Sequence, residues 1–542
     1  MTASIFVVFF FLFIGGLGRT LTREADYTTT SYPRLLDATI ETLAAGLADK
    51  SFTSVDLVKA YIARTIEVNP SFHAVTELNP DALTIADSLD HERSLGSIRG
   101  PLHGIPIFIK NNMATDDRMH TTAGSWALMG AKVPRDSTVA QKLRAAGAVI
   151  LGKTSITEWA NFRSNNASNG WSAVGGQVYG PYHLNQDPWG SSSGSGVASA
   201  LGLALGSLGT ETDGSITAPA SINNVVGIKP TVGLTSRYLV IPISEHQDTV
   251  GTLTRTVMDG AHILQAIAGA DPLDNYTSAI PYSKLPDYVA ACKLSALSGS
   301  RIGVPRDVIS LRSDNTSTPV IEAFEQALDV FRAAGAVVVD TSFLAAAEFF
   351  NSTLPNQVLA ADFVVNLQSY LDALTHNPHN ISSLAALRDF TRSFPLEDYP
   401  TLDTSVWDAA LSNWNNTDPR FWPVYQEVMY YGAGGGLLGA IDRDHLDAVV
   451  LPATFSSNYA ATVGAPIVTV PLGFYAADTP LTKNEWGLFD TGPNIPFGIS
   501  FLGAKFDEEK LIGLAYAFEQ GTKIREKVKP YIVPQTELVD VL

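Results

Sequence analysis

Gly190-Ser191-Ser192-Ser193-Gly194-Ser195-Gly196, then an apolar stretch over residues 197–209, then Thr210-Glu211-Thr212-Asp213-Gly214-Ser215-Ile216: this run decides how the chain is read. About eighty residues upstream, Gly104-Ile105-Pro106-Ile107-Phe108-Ile109-Lys110 ends an apolar run on a lysine. A serine hydroxyl is a poor nucleophile until a base takes its proton. Lysine does so only as the neutral amine, and burial lowers its ordinary pKa of ~10.4 by several units. Ile105, Ile107, Phe108 and Ile109 supply the apolar neighbours. A second serine between lysine and nucleophile would relay the proton both ways. The turn at Asp213-Gly214 lets consecutive N–H groups point at one spot, as an oxyanion hole requires.

Other motifs compete for the first segment. A phosphate-binding loop needs Gly-Lys-Ser/Thr at its end, but Gly196 is followed by Val197. A dinucleotide fingerprint needs a third glycine, where Ser199 stands. Gly190-Ser-Ser192-Ser-Gly194 does match the nucleophile elbow of α/β-hydrolases. That elbow follows directly on a buried strand. Here the preceding residues 183–189 are polar and broken by Pro188. An esterase with Ser192 as nucleophile therefore stands as an alternative.

Of 542 residues, 45% are hydrophobic and 17% charged, which describes globular material with a large core. The net charge of −18, with no basic cluster, argues against nucleic acid as a partner. The apolar block at residues 5–17, closed by Gly16-Leu17-Gly18, is shorter than the ~20 residues of a membrane span. Residues 1–18 therefore read as a signal peptide and 19–32 as a leader, with an uncleaved anchor as the alternative. Six Asn-x-Ser/Thr sequons, at Asn166, Asn275, Asn315, Asn351, Asn380 and Asn415, agree with a secreted or lumenal glycoprotein. The lone Cys292 forms no internal disulfide and reads as a small hydrophobe. His376 and His379 read as an exposed loop, because no acidic or cysteine partner lies nearby at ligand spacing.

Alternating helical and strand patterns indicate α/β layers. Ile40, Leu43, Ala44 and Leu47 keep helical spacing. Ser54 reads as the cap of a helix over 55–68 that Asn69-Pro70 stops. Residues 73–78 alternate like a strand, and 80–95 read as a helix. Residues 143–152 (Leu-Arg-Ala-Ala-Gly-Ala-Val-Ile-Leu-Gly) and 331–340 (Phe-Arg-Ala-Ala-Gly-Ala-Val-Val-Val-Asp) echo each other. Both read as helix, glycine stop and strand. Strand runs return at 446–452, 465–473 and 497–503, before a helix over 507–520 with a solvated acidic face. The main domain is read as 33–530, with 270–440 a variable covering region that sets the substrate.

Together these motifs resemble the amidase signature family. The family's Gly-Gly-Ser-Ser-Gly-Gly stretch, small-residue apolar helix and Gly-Thr-Asp-x-Gly-Gly-Ser-Ile match residues 190–196, 197–208 and 209–216. Gly152-Lys-Thr154 and Val225-Val-Gly-Ile-Lys-Pro-Thr231 are also family-like. The resemblance implies one large α/β/α domain with a mixed central sheet, and hydrolysis of small-molecule amides without metal or organic cofactor. It implies Ser215 as the acyl-forming nucleophile, Ser191 as the bridging serine with a cis peptide bond, and Lys110 as the base. The backbone of Thr212, Asp213, Gly214 and Ser215 would form the oxyanion hole. Trp189 and Ser193 replace family glycines, Glu211 replaces an aspartate, Asp213 a glycine, and Thr217 stands where arginine is common. A carboxylate at 213 beside an oxyanion opposes catalysis unless it turns away or meets a cation; it is expected to turn away. A tRNA-dependent amidotransferase subunit and a silent, binding-only member are the remaining alternatives.

Overall fold

Pro106–Lys110 is buried at all five positions, which only an inner strand of a covered sheet satisfies. The computed structural model describes residues 32–314 and 316–542. The signal, the leader up to residue 31 and Asn315 lie outside the described residues. Pro33–Leu542 forms one compact unit.

Its sheet has eleven strands. From one edge the order is Val75–Leu78, Val149–Thr154, Pro106–Lys110, Gly206–Glu211, Thr249–Thr254 and Val226–Lys229. It continues through Ile467–Phe474, Pro496–Leu502, Ala448–Pro452, Arg301–Pro305 and Val337–Thr341. Pro106–Lys110 runs parallel to both its neighbours, while Gly206–Glu211 pairs antiparallel with Thr249–Thr254. The fold is therefore a mixed sheet flanked by helices. The two echoing segments are equivalent α/β units. Helices Thr138–Ala145 and Thr318–Ala333 each end before a strand that joins its neighbour in parallel.

Several boundaries differ from expectation. The second helix runs Ser54–Phe72, capped by Thr53 in a capping box with Asp56, so Ser54 is not the cap. Pro70 lies inside it. In the last turn a proline removes one backbone bond, whose acceptor belongs to the 64%-exposed Ile66. Residues 197–208 are not one helix: Ser193–Ala200 is helical and Gly206–Glu211 is a strand. Small apolar residues satisfy a buried helix and a buried strand equally well. The last helix, Glu508–Thr522, buries Leu511, Leu514 and Phe518 as expected. Its acidic face is not all solvated, since buried Glu508 accepts from Thr231 N–H at 2.6 Å.

Residues 536 and 537 pack back onto the helix Ser54–Phe72. The buried Arg64 guanidinium donates to Gly202 O, Leu201 O and Thr536 O and meets Glu537 at 3.3 Å. Among the described residues, no helix is long and apolar enough to cross a membrane.

Residues 346–444 fold as helices over one end of the sheet. Phe363, Leu367, Leu387 and Trp407 pack against Ala123, Leu128, Trp159 and Ile243. Trp407 is fully buried, meets the Trp159 ring edge-on at 5.9 Å and donates its indole N–H to Phe162 O at 2.6 Å. Trp407→Ala is expected to cost about 3–5 kcal/mol of unfolding free energy, read by denaturant titration, from the cavity and the orphaned carbonyl.

Candidate active site

The strand Pro106–Lys110 ends at the C-terminal edge of the sheet, where the chain after Gly206–Glu211 also turns. Lys110 is fully buried. Its Nζ lies 2.8 Å from Ser191 Oγ and 2.9 Å from Thr210 Oγ1, and it donates to Thr210 O at 3.2 Å. Ser191 Oγ lies 3.0 Å from Ser215 Oγ. The lysine and both serines therefore form one unbroken line of contacts. The Gly190–Ser191 peptide is cis, as the resemblance implied.

Close backbone approach makes this line possible. A Cβ on Gly194 would sit 2.2 Å from Ala74 O, so only glycine lets the helix Ser193–Ala200 start against the sheet edge. Ser192 N–H donates to Ser215 O at 3.2 Å, locking the two serine segments together. Gly214 takes φ +80°, the left-handed turn that glycine adopts without cost. Glu211 anchors the backbone just past Ser215: its carboxylate accepts from Ile216 N–H at 2.7 Å and Thr217 N–H at 2.9 Å. Among the described residues, the N–H groups of Thr212, Asp213, Gly214 and Ser215 donate to no protein acceptor. Asp248, which the sequence reading missed, accepts from Thr212 Oγ1 at 2.6 Å and from Ile243 and Ser244 N–H at 2.7 and 3.1 Å.

Burial decides the protonation states. Desolvation pushes the Lys110 ammonium well below its ordinary value, against the opposing pull of the Asp248 and Glu211 charges. Two other lysines are fully buried, and burial lowers Lys153 to about 7 and Lys229 to about 8. Neither touches a serine. Lys153 donates to Met113 O and Thr121 Oγ1, and Lys229 to Ala465 O and Pro230 O. Lys153 pairs with Ile109 in register, one residue before Lys110, so the pleat sends the two amines to opposite faces.

A cavity of about 400 Å³ opens over Ser215, lined by Trp189, Gly190, Thr212, Asp213 and Gly214. Ala160, Phe162, Ile243, Leu359 and Ala453 supply apolar wall, and Arg312, Ser457 and Asn458 polar wall. Trp189 takes φ +53° where the family has glycine, which brings the indole to this wall. Asp213 does not turn away as expected. Its side chain is exposed into the cavity, and the enclosing walls raise its carboxyl to about 6. The local reason is the turn: Glu211 already fills the inward position, so Asp213 falls on the cavity side.

The other candidates lie elsewhere. Ser192 is fully buried outside the cavity and donates to Thr210 O at 3.1 Å. Asn166, Asn275, Asn351 and Asn380 are exposed and Asn415 is half-buried. His376 and His379 are exposed. Among the described residues, Glu245, His246 and Asp362 bring three ligand atoms within 4.8 Å of one another. Their capacity is spent on each other and on Ser244, Asn366 and Asn416.

A family model described as Amidase matches residues 56–512. The chain belongs to the amidase signature family. A protein of Arthroderma benhamiae named as an amidase is 52% identical over 97% of this chain and 93% of its own length. One from Arabidopsis thaliana, also named as an amidase, is 38% identical over 91% of each. Among solved structures, the peptide amidase from Stenotrophomonas maltophilia superposes with a TM-score of 0.81 at 36% identity. That match covers 92% of this chain and 99% of the other. The protein is thus an amidase-type hydrolase of carbon–nitrogen bonds.

Between its lowered pKa and its ordinary 10.5, Lys110 is neutral when folded and protonated when unfolded. The unfolded state then binds more protons, so stability rises with pH across that window. Relative to Lys110→Met, which lacks the group, the wild type is expected to gain up to about 1.4 kcal/mol of unfolding free energy per pH unit. A constant difference between the two proteins from neutral to about pH 10 rejects the depressed amine.

Proposed function

We propose that the protein hydrolyses small-molecule carboxamides through an acyl-enzyme on Ser215, with Ser191 as proton relay and Lys110 as base. The observation that carries this is the contact line from a buried amine through one hydroxyl to a second hydroxyl at the cavity wall. Neutral Lys110 takes the Ser191 proton as Ser191 takes that of Ser215. Ser215 Oγ then bonds to the amide carbon, and the C=O pair moves onto oxygen. The N–H groups of Thr212, Asp213, Gly214 and Ser215 receive that oxyanion, needing no reorganisation as charge develops. As the C–N bond breaks, the proton returns from Lys110 by way of Ser191 to the leaving nitrogen. Water repeats the cycle on the acyl-enzyme and frees the acid.

The other readings have less support. Ser192 has its hydroxyl committed to Thr210 O and does not line the cavity. A tRNA-handling role disagrees with the charge of −18. A silent member would not need a desolvated lysine aimed at two serines. The exposed sequons favour a secreted or lumenal glycoprotein, with an anchor at residues 5–17 as the alternative.

Ser215→Ala is expected to lower amide turnover by about 10⁴-fold or more and to abolish labelling by a fluorophosphonate. Ser192→Ala should retain most of both. The reverse pattern transfers the nucleophile to Ser192.

Turnover should also rise with pH as Lys110 loses its proton. The Asp248 charge holds that proton on, so Asp248→Asn should move the acid limb of the kcat/KM profile to lower pH. An unmoved limb removes Lys110 as the titrating base.

A further inference from the structure

Trp189 stands two residues before Ser191 and takes φ +53°, a backbone conformation that a bulky side chain adopts only where its surroundings hold it. The holder is Asp187, which is buried. Its Oδ1 accepts from Trp189 N–H at 2.7 Å, and its Oδ2 from Asn169 Nδ2 at 3.1 Å and Asn484 Nδ2 at 2.8 Å. Asn169 and Trp189 both line the cavity over Ser215. Asn484 lies in a small hairpin whose strands, Thr482–Lys483 and Phe489–Thr491, pair antiparallel. The same Asn484 Nδ2 donates to Asp490 Oδ1 at 3.2 Å, so one amide nitrogen bridges two carboxyls. Backbone bonds lay the hairpin along this segment: Asp187 N–H donates to Phe489 O at 3.0 Å, and Phe489 N–H to Asn185 O at 2.9 Å.

Two carboxyls in contact, without a cation, do not both ionise readily; such a pair keeps one proton between its members. Among the described residues, the hydrogen-bond partners of Asp187 and Asp490 include no cation. The Asp490 carboxyl meets that of Asp187, and burial pushes Asp187 up to about 7 and Asp490 in the same direction. The other ionisable groups around the hairpin are His183, edge-on to the Phe489 ring at 5.1 Å, and Lys483, with Nζ 5.0 Å from that ring's centroid. Tyr475 feels the Asp314 and Asp490 charges. Among the described residues, none of these four hydrogen-bonds either carboxyl. The shared proton thus turns a repulsion into a bond between the hairpin and the turn that leads to Ser191.

We propose that Asp187 and Asp490 are positioning residues, a carboxyl pair sharing one proton that clamps the hairpin to residues 187–189 and so holds Trp189 on the cavity wall and Ser191 between Lys110 and Ser215. The proposal rests on the reading of Ser215 as nucleophile. Loss of the shared proton sets two like charges against each other across the clamp, which loosens as pH rises. Lys110 gains reactivity over the same rise, so activity climbs, peaks and falls.

The test is the second-order rate of labelling by a fluorophosphonate from about pH 5 to about pH 9. The wild-type rate should peak and then fall about tenfold or more on the alkaline side, since a small misplacement of a reacting group costs up to about a hundredfold. In Asp490→Asn an amide N–H stands where the shared proton stood and does not titrate, so the alkaline fall should disappear. Asp187→Ala should label about tenfold or more slowly at every pH, and Asp187→Asn, which keeps an acceptor for Trp189 N–H, should recover part of that loss. Thermal unfolding of each variant checks that the fold is retained. A wild-type rate without an alkaline fall overturns the assignment, as does a fall that persists unchanged in Asp490→Asn or a wild-type rate in Asp187→Ala. Tryptophan fluorescence of Ser215→Ala separates the two levels. It should step at the pH of the wild-type fall, and adding Asp490→Asn should remove the step. If Ser215→Ala still labels, the nucleophile reading fails, while the presence or absence of the step decides the clamp.

Discussion

An amine buried away from bulk solvent, with no carboxylate in contact, gives up its proton more readily, and Lys110 is placed in that position. It is fully buried, and its contacts are hydroxyls and one carbonyl. The two carboxylates close enough to matter are occupied. Glu211 is bound by Ile216 and Thr217, and Asp248 by Thr212, Ile243 and Ser244. Had either reached Nζ directly, an ion pair would have held the proton in place. The same groups therefore serve two ends: they fix the turn around Ser215, and they stay out of contact with the base.

The sheet supplies the precision. Lys110 ends a strand held by parallel neighbours on both sides, so its Cα is set by two hydrogen-bond ladders. The pleat then sorts the buried lysines. Lys153 stands beside Lys110 in the sheet and has a lowered pKa too, yet it faces away and meets a carbonyl. A depressed pKa alone does not mark the base; position on the strand does.

The serine segments, Lys110 and most strands were legible because each is local. Buried strands are unbroken apolar runs, and glycines at the close contacts are visible one by one. Residues 197–208 were not legible as helix plus strand, since small apolar residues carry neither period. Pro70 looked like a stop, and only the exposure of Ile66 explains why the helix continues. Asp248 and Arg312 were invisible for a different reason. Their places arise from sheet order and from the helix Arg306–Arg312, which bring residues 36 and 97 or more positions from their partners into contact or into one cavity. The orientation of Asp213 depends on Glu211 filling the inward place, which composition does not reveal.

One cause acts in opposite directions across the site. Enclosure favours the neutral form of every group, so it lowers Lys110 and raises Asp213 and Asp248, each to about 6. The net effect is a site with weakened fixed charge around the reacting carbonyl. In such surroundings, N–H dipoles aimed at a new oxyanion act with little screening and little competition. That resolves the difficulty of a carboxylate two residues before the nucleophile. Asp213 is tolerable because desolvation weakens its charge and the Arg312 charge opposes it.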